Sequence, residues 1–175
     1  MVWAAYGWGM RVSAKADYAI RAVVELGARW QPDQKAAPMK GEAIAQAQQI
    51  PMKFCENILS ELRGAGVVDS RRGTDGGYWL AVDPATVKLG DIIRIVEGPL
   101  AAVRGDRPTD VDFAGTSAAM REVWVAVRAS LRRVLDVVTV ADVVAGALPA
   151  DVRALLDDHG AWDVVSPMSS GDLSH

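Results

Sequence analysis

Residues 73–77, Gly-Thr-Asp-Gly-Gly, place three glycines between two short runs that read as strands, 67–72 and 78–82. A two-stranded hairpin is marginal on its own in water, so this one must lie on a helical body. The residues before it supply that body. Cys55, Ile58, Leu59 and Leu62 recur at i, i+3, i+4 and i+7, an inward stripe on a helix that begins at Pro51 and is stopped by Gly64 and Gly66. Proline suits a first helical turn, where its missing N–H is not needed. The opposite face of that helix carries Lys53, Glu56, Asn57 and Ser60, all polar.

A short helical segment at 41–48 precedes it across a tight turn, and a first amphipathic helix at 14–29 carries Ala19, Val23 and Leu26 behind Ser13, a good N-cap. Leu89, Ile92, Ile93 and Val96 mark a fourth helix, which Gly98-Pro99 ends. The order helix, helix-turn-helix, hairpin predicts a mainly α fold: a winged helix-turn-helix with a two-stranded wing.

Residues 99–116 form a long loop with little periodicity. From Ser117 a long helix follows, with Met120, Trp124, Val127, Leu131, Val134 and Val138 alternating four and three apart. Such a seam should pair with another helix. Thr139 and Asp142 have the spacing of a capping box, and a last short helix is expected at 149–158. The expected organisation is an extension at 1–9, a DNA-binding domain at 10–98, a loop at 99–116, dimerisation and short C-terminal helices at 117–158, and a disordered tail at 159–175.

Net charge is only -3, so attraction to nucleic acid has to come from a local surface. Residues 1–100 hold 12 Lys/Arg against 11 Asp/Glu, while 101–175 hold 7 against 11, which puts the more basic half with the winged helix. Arg71 and Arg72 stand where the wing starts, suited to phosphate or a narrow minor groove. Asn57 can bond an adenine edge, and Lys53 a guanine or a phosphate. The alternative for the same fold is a protein-interaction module without specific DNA binding.

Three segments resemble the Rrf-two family of bacterial winged-helix transcriptional regulators: Met10-Arg-Val-Ser-Ala-Lys-Ala-Asp-Tyr-Ala-Ile20, Ile50-Pro-Met-Lys-Phe-Cys-Glu-Asn-Ile-Leu59 and Arg72-Gly-Thr-Asp-Gly-Gly-Tyr-Trp-Leu-Ala81. The resemblance runs through the fourth helix into the long one, over about 10–156. It implies a homodimeric regulator of double-stranded DNA, and the single cysteine of the sequence makes a reducing cytoplasm the default compartment. It also implies that Lys53, Phe54, Glu56 and Asn57 occupy recognition-helix positions and Arg72 the wing position that enters the minor groove. Members of the family normally begin at the position of Met10, so 1–9 reads as an extension or an upstream start choice.

Sensor members of the family hold an iron–sulfur cluster on three cysteines in the loop after the fourth helix. Here Cys55 is the only cysteine, so neither that cluster nor a thiolate zinc site is expected. Cys55 lies on the inward stripe and reads as a small buried hydrophobe. Asp17, where some members offer an oxygen ligand, reads as a surface or capping charge, and His159 and His175 as surface residues without metal-ligand partners. A small-molecule effector is left open: Arg104 and Arg107 could meet an anion or be solvated loop charges.

No nucleophile elbow, phosphate-binding glycine loop or catalytic triad is found, and the glycines at 73–77 join strands instead of opening a helix. An enzyme is therefore not expected. The apolar stretches are too short or too interrupted to span a membrane, and no export signal is read at the N-terminus.

Overall fold

The computed structural model describes residues 12–32 and 38–163. The extension expected at 1–9 and residues 164–175 of the expected tail lie outside the described residues.

Helix α1, Ala14–Gly27, is capped by Ser13, whose hydroxyl oxygen accepts from the Ala16 N–H at 3.0 Å. Its buried face is built mostly of small residues, Ala16, Ala19 and Ala22 with Val23 and Leu26. Small side chains let neighbours approach closely, and α1 becomes the central helix on which most of the others pack. It ends at Gly27, short of the expected residue 29, where a Cβ would lie 2.6 Å from Val140 Cγ1.

Helices α2, Gly41–Gln48, and α3, Met52–Gly64, are joined by a turn in which Gln49 takes a left-handed conformation at φ 53°. Cys55, Ile58, Leu59 and Leu62 are all buried, as their spacing requires. Each of the large aliphatic side chains among them stabilises the fold by about 1.5–3 kcal/mol relative to exposure. Strands β1, Val68–Arg71, and β2, Gly77–Leu80, pair antiparallel from Val68↔Leu80 to Arg71↔Gly77. Met39 adds a single bridge to Tyr78, with N–H to carbonyl distances of 2.9 and 2.8 Å in the two directions. Helix α4, Leu89–Glu97, buries Ile92, Ile93 and Val96.

The 99–116 loop is more ordered than its sequence suggests, with short 3-10 turns at Pro108–Asp110 and Gly115–Ser117 and with Leu100, Pro108 and Val111 buried. Helix α5 spans Met120–Leu135, starting later than the expected Ser117. Helix α6, Val140–Ala145, opens with the expected capping box between Thr139 and Asp142. Helix α7, Ala150–Ala154, runs into a 3-10 turn at Leu155–Asp157.

The C-terminal helices are not separate from the winged helix. Val140 belongs to the same buried cluster as the residues of α1 to α4. The Leu89 N–H donates to the Val138 carbonyl at 3.0 Å, and the Val140 N–H to the Val87 carbonyl at 2.9 Å. This corrects the reading of Val138 as a seam residue: α5 stops three residues before it, the chain turns back to the core, and Val138 is 2% exposed. The first part of the expected tail is also shaped, since the Trp162 indole N–H donates to the Leu156 carbonyl at 2.9 Å and the Ala161 N–H to the Asp158 carbonyl at 3.0 Å. Among the described residues no helix is long and apolar enough to cross a membrane.

Candidate nucleic-acid interface

Helix α3 divides sharply. With its apolar stripe sealed against α1 and α2, it leaves Lys53, Phe54, Glu56, Asn57 and Ser60 exposed on the other side. Phe54 is half exposed and meets the Tyr18 ring edge-on, with centroids 6.1 Å apart, while the Arg21 guanidinium lies over the far ring at 5.7 Å. Two contacts hold the orientation of α3. Lys15 Nζ on α1 pairs with Glu61 at 2.9 Å and donates to the Val96 carbonyl at 2.7 Å, tying α1, α3 and α4 together. Arg63 donates to the Ser70 hydroxyl at 3.1 Å, linking the end of α3 to β1.

The two wing arginines have different tasks. Arg71 reaches along the hairpin and donates to the Asp75 carbonyl at 3.1 Å, so it braces the turn. Arg72, the next residue, is exposed and makes no side-chain hydrogen bond or ion pair among the described residues. The turn also requires glycine at 76, where a Cβ would lie 2.1 Å from the Arg71 carbonyl oxygen.

The exposed Lys40 and the buried Met39 beside it support this surface, and both escape a reading of periodicity. The Lys40 ammonium donates to the Gly73 carbonyl at 2.8 Å, and the Met39 bridge holds β2 from its other edge. A single-residue bridge leaves no alternation to detect. Its one sequence trace is Gly77, where a Cβ would meet the Met39 backbone at 2.6 Å.

Cys55 is fully buried, its sulfur 3.8 Å from the Gly41 carbonyl oxygen. Burial above all, then the negative charges of Glu56 and Glu42, pushes the thiol pKa up, the opposite of a reactive cysteine.

Helix α5 has no buried residue at all. Met120, Trp124, Val127, Leu131 and Val134 are half buried, and Val123 and Val137, which the four-three reading passed over, are 48% and 46% exposed. The spacing of Val123, Val127 and Val134 already puts them on one side of a helix.

The family model described as "Rrf2: Iron-dependent Transcriptional regulator" matches residues 12–146. A Mycobacterium tuberculosis protein, Rv1287, that bears an HTH-type transcriptional regulator name is 43% identical over 154 residues, covering 88% of this chain and 93% of its own. The HTH-type transcriptional regulator CymR of Bacillus subtilis is 34% identical over 133 residues, covering 76% of this chain and 88% of its own. Its solved structure, that of CymR, the global cysteine regulator of B. subtilis, superposes with a TM-score of 0.65 at 32% identity over 79% of this chain and 99% of that one. The structure of T. potens IscR gives 0.62 at 34% identity over 79% of this chain and 88% of that one. The two-stranded wing, the helix pair before it and these likenesses agree, and the chain belongs to the Rrf2 family of transcriptional regulators, which are not enzymes.

Proposed function

We propose that the chain is a cytoplasmic homodimeric repressor or activator that reads a palindromic operator with α3 in the major groove and Arg72 in the minor groove. The observation that carries this reading is the division of α3. Its five outward side chains are exposed and chemically suited to bases and phosphates, next to a wing on which Arg72 is exposed and makes no side-chain hydrogen bond or ion pair among the described residues. Lys53 supplies a phosphate or guanine contact, Asn57 an adenine contact, and Ser60 and Glu56 flank them. Arg71 acts indirectly, by setting the turn that presents Arg72.

Support for the dimer comes from α5, whose valine-rich side is only partly covered in a single chain. A 16-residue helix with no buried residue would not hold that apolar strip in water without a partner, and a second copy provides a matching surface through two-fold symmetry. The pairing surface is then Met120, Val123, Trp124, Val127, Leu131 and Val134, without Val138. Two-fold symmetry sets the half-sites one helical turn of DNA, about 34 Å, or a multiple of it apart.

The family description names iron, but the donor set of this chain is unsuited to a thiolate-ligated cluster. Residues 98–117 hold neither cysteine nor histidine, and the sole thiol is sealed beneath α3. We infer a regulator that works without such a cluster. Anaerobically purified protein should lack visible charge-transfer bands and stoichiometric iron, and their presence would refute this part of the reading.

The test of DNA recognition is selection of duplexes from a random pool at near-physiological salt, with Arg72→Ala in parallel. A palindrome enriched by the wild type and lost or blurred in the variant is expected. Equal enrichment by both proteins would overturn the wing assignment.

A further inference from the structure

Three arginines from three different parts of the chain line one cleft: Arg94 on α4, Arg107 in the 99–116 loop and Arg128 on α5, over a floor of Gly98, Pro99 and Leu100. The cavity measures about 330 Å³, room for a small metabolite. From this arrangement we infer that the cleft binds a small oxyanion, a ligand bearing a phosphate or carboxylate group.

The three cations are not equivalent. Arg94 is committed on both terminal nitrogens, to Asp91 at 2.8 Å and to Asp136 at 2.6 Å, so it is held in place with its charge largely answered. Arg107 and Arg128 make no ion pair within 4.0 Å among the described residues. Arg128 Nε is buried without any hydrogen-bond acceptor. A buried charged donor without an acceptor is unfavourable, and a ligand oxygen seated in the cleft would relieve it. Guanidinium groups are the side chains best matched to planar or tetrahedral oxyanions, because their N–H groups form a rigid fork.

The cleft is also shaped and held. The Arg121 guanidinium donates to the Thr109 carbonyl, fastening the loop that carries Arg107 onto α5. Arg104, the other loop arginine, lies over the Phe113 ring at 5.7 Å, accounted for away from the cleft. Gly98 has φ +87°, and a Cβ there would meet nothing within 4 Å, so open space lies above the floor.

The site does not depend on DNA recognition and is read on the protein alone. Thermal unfolding of the full chain is followed with added inorganic phosphate, with succinate, and with sodium chloride at matched ionic strength, for wild type, Arg107→Gln and the double variant R107Q/R128Q. Wild type should rise above the chloride baseline by about 3–5 °C for each tenfold excess of ligand over Kd. A rise with phosphate assigns a phosphoryl ligand, and a rise with succinate a carboxylate. Arg107→Gln changes only an exposed loop side chain and should lose at least half of the rise, while the double variant loses all of it. General salting-out stabilisation would persist in both variants. No rise above chloride with either anion, or an undiminished rise in Arg107→Gln, would overturn the inference.

Discussion

Asp136, just beyond the end of α5, accepts from Arg94 Nη2 on α4 at 2.6 Å and from Arg132 Nε on its own helix at 2.8 Å. This carboxylate joins the winged-helix body to the long helix. Its burial alone would raise its pKa, but the hydrogen bonds from Arg132 and Arg94, with their charges, prevail and hold it below the ordinary aspartate value. A depressed folded-state pKa gives stability that is fully present above the unfolded value of about 3.9 and is lost as pH falls through the folded one. Asp142, held down by the backbone and hydroxyl of Thr139, adds to the same loss. Asp136→Asn should therefore lower stability at pH 7 by about 1–2 kcal/mol and flatten the acid limb of the stability profile. Urea melts between pH 7 and pH 3 check both; an unchanged acid limb would remove Asp136 from this role.

Valines on the two sides of the α5 terminus should respond in opposite ways. Val123 and Val127 on α5 are not buried, so the double substitution to glutamate should leave the fold intact and move the protein from dimer to monomer in sedimentation. Val138 is buried, so Val138→Ala should leave a dimer that is less stable by roughly 1–3 kcal/mol. A V123E/V127E protein that remains dimeric would place the interface elsewhere.

The helices and the hairpin were legible because their signals are local. The stripe Cys55, Ile58, Leu59, Leu62 and the glycines around the wing fix element type within a few residues of chain. What escaped depends on contacts distant in sequence. The four-three spacing extends the seam to Val138, but the Leu89 and Val87 backbone groups, about 50 residues earlier, capture that segment for the core. The outward face of α3 followed from the inward one by geometry. The difference between Arg71 and Arg72 did not, since it rests on one hydrogen bond to the Asp75 carbonyl. The convergence of Arg94, Arg107 and Arg128 has no sequence signature, because the three come from separate elements.

Cys55 offers a direct probe of that core. Burial and its raised thiol pKa keep the thiolate fraction low and the sulfur inaccessible. A thiol reagent should label the native protein only through opening, at a rate that rises steeply with urea and parallels unfolding. Cys55→Ala should leave DNA affinity unchanged under both oxidising and reducing conditions. A fast native reaction, or DNA binding that responds to oxidant only when Cys55 is present, would contradict the buried assignment.

Salt dependence separates the roles proposed for the outward face of α3 and the wing. Each phosphate neutralised by a cation adds about -0.9 to the slope of log K against log salt, so a phosphate contact and a base contact fail differently when removed. Lys53→Ala, if Lys53 meets phosphate, should weaken binding to all sequences alike and reduce the slope by about 1. Asn57→Ala should keep the slope and relax the preference at one base position by about 1–3 kcal/mol. Arg71→Ala should act like neither, because Arg71 braces the turn: it should loosen the wing, reduce the contribution of Arg72, and show no added effect in the R71A/R72A double variant. Binding isotherms on one selected duplex at four salt concentrations distinguish the three. Additive losses for Arg71 and Arg72 would mean that Arg71 reaches the DNA itself.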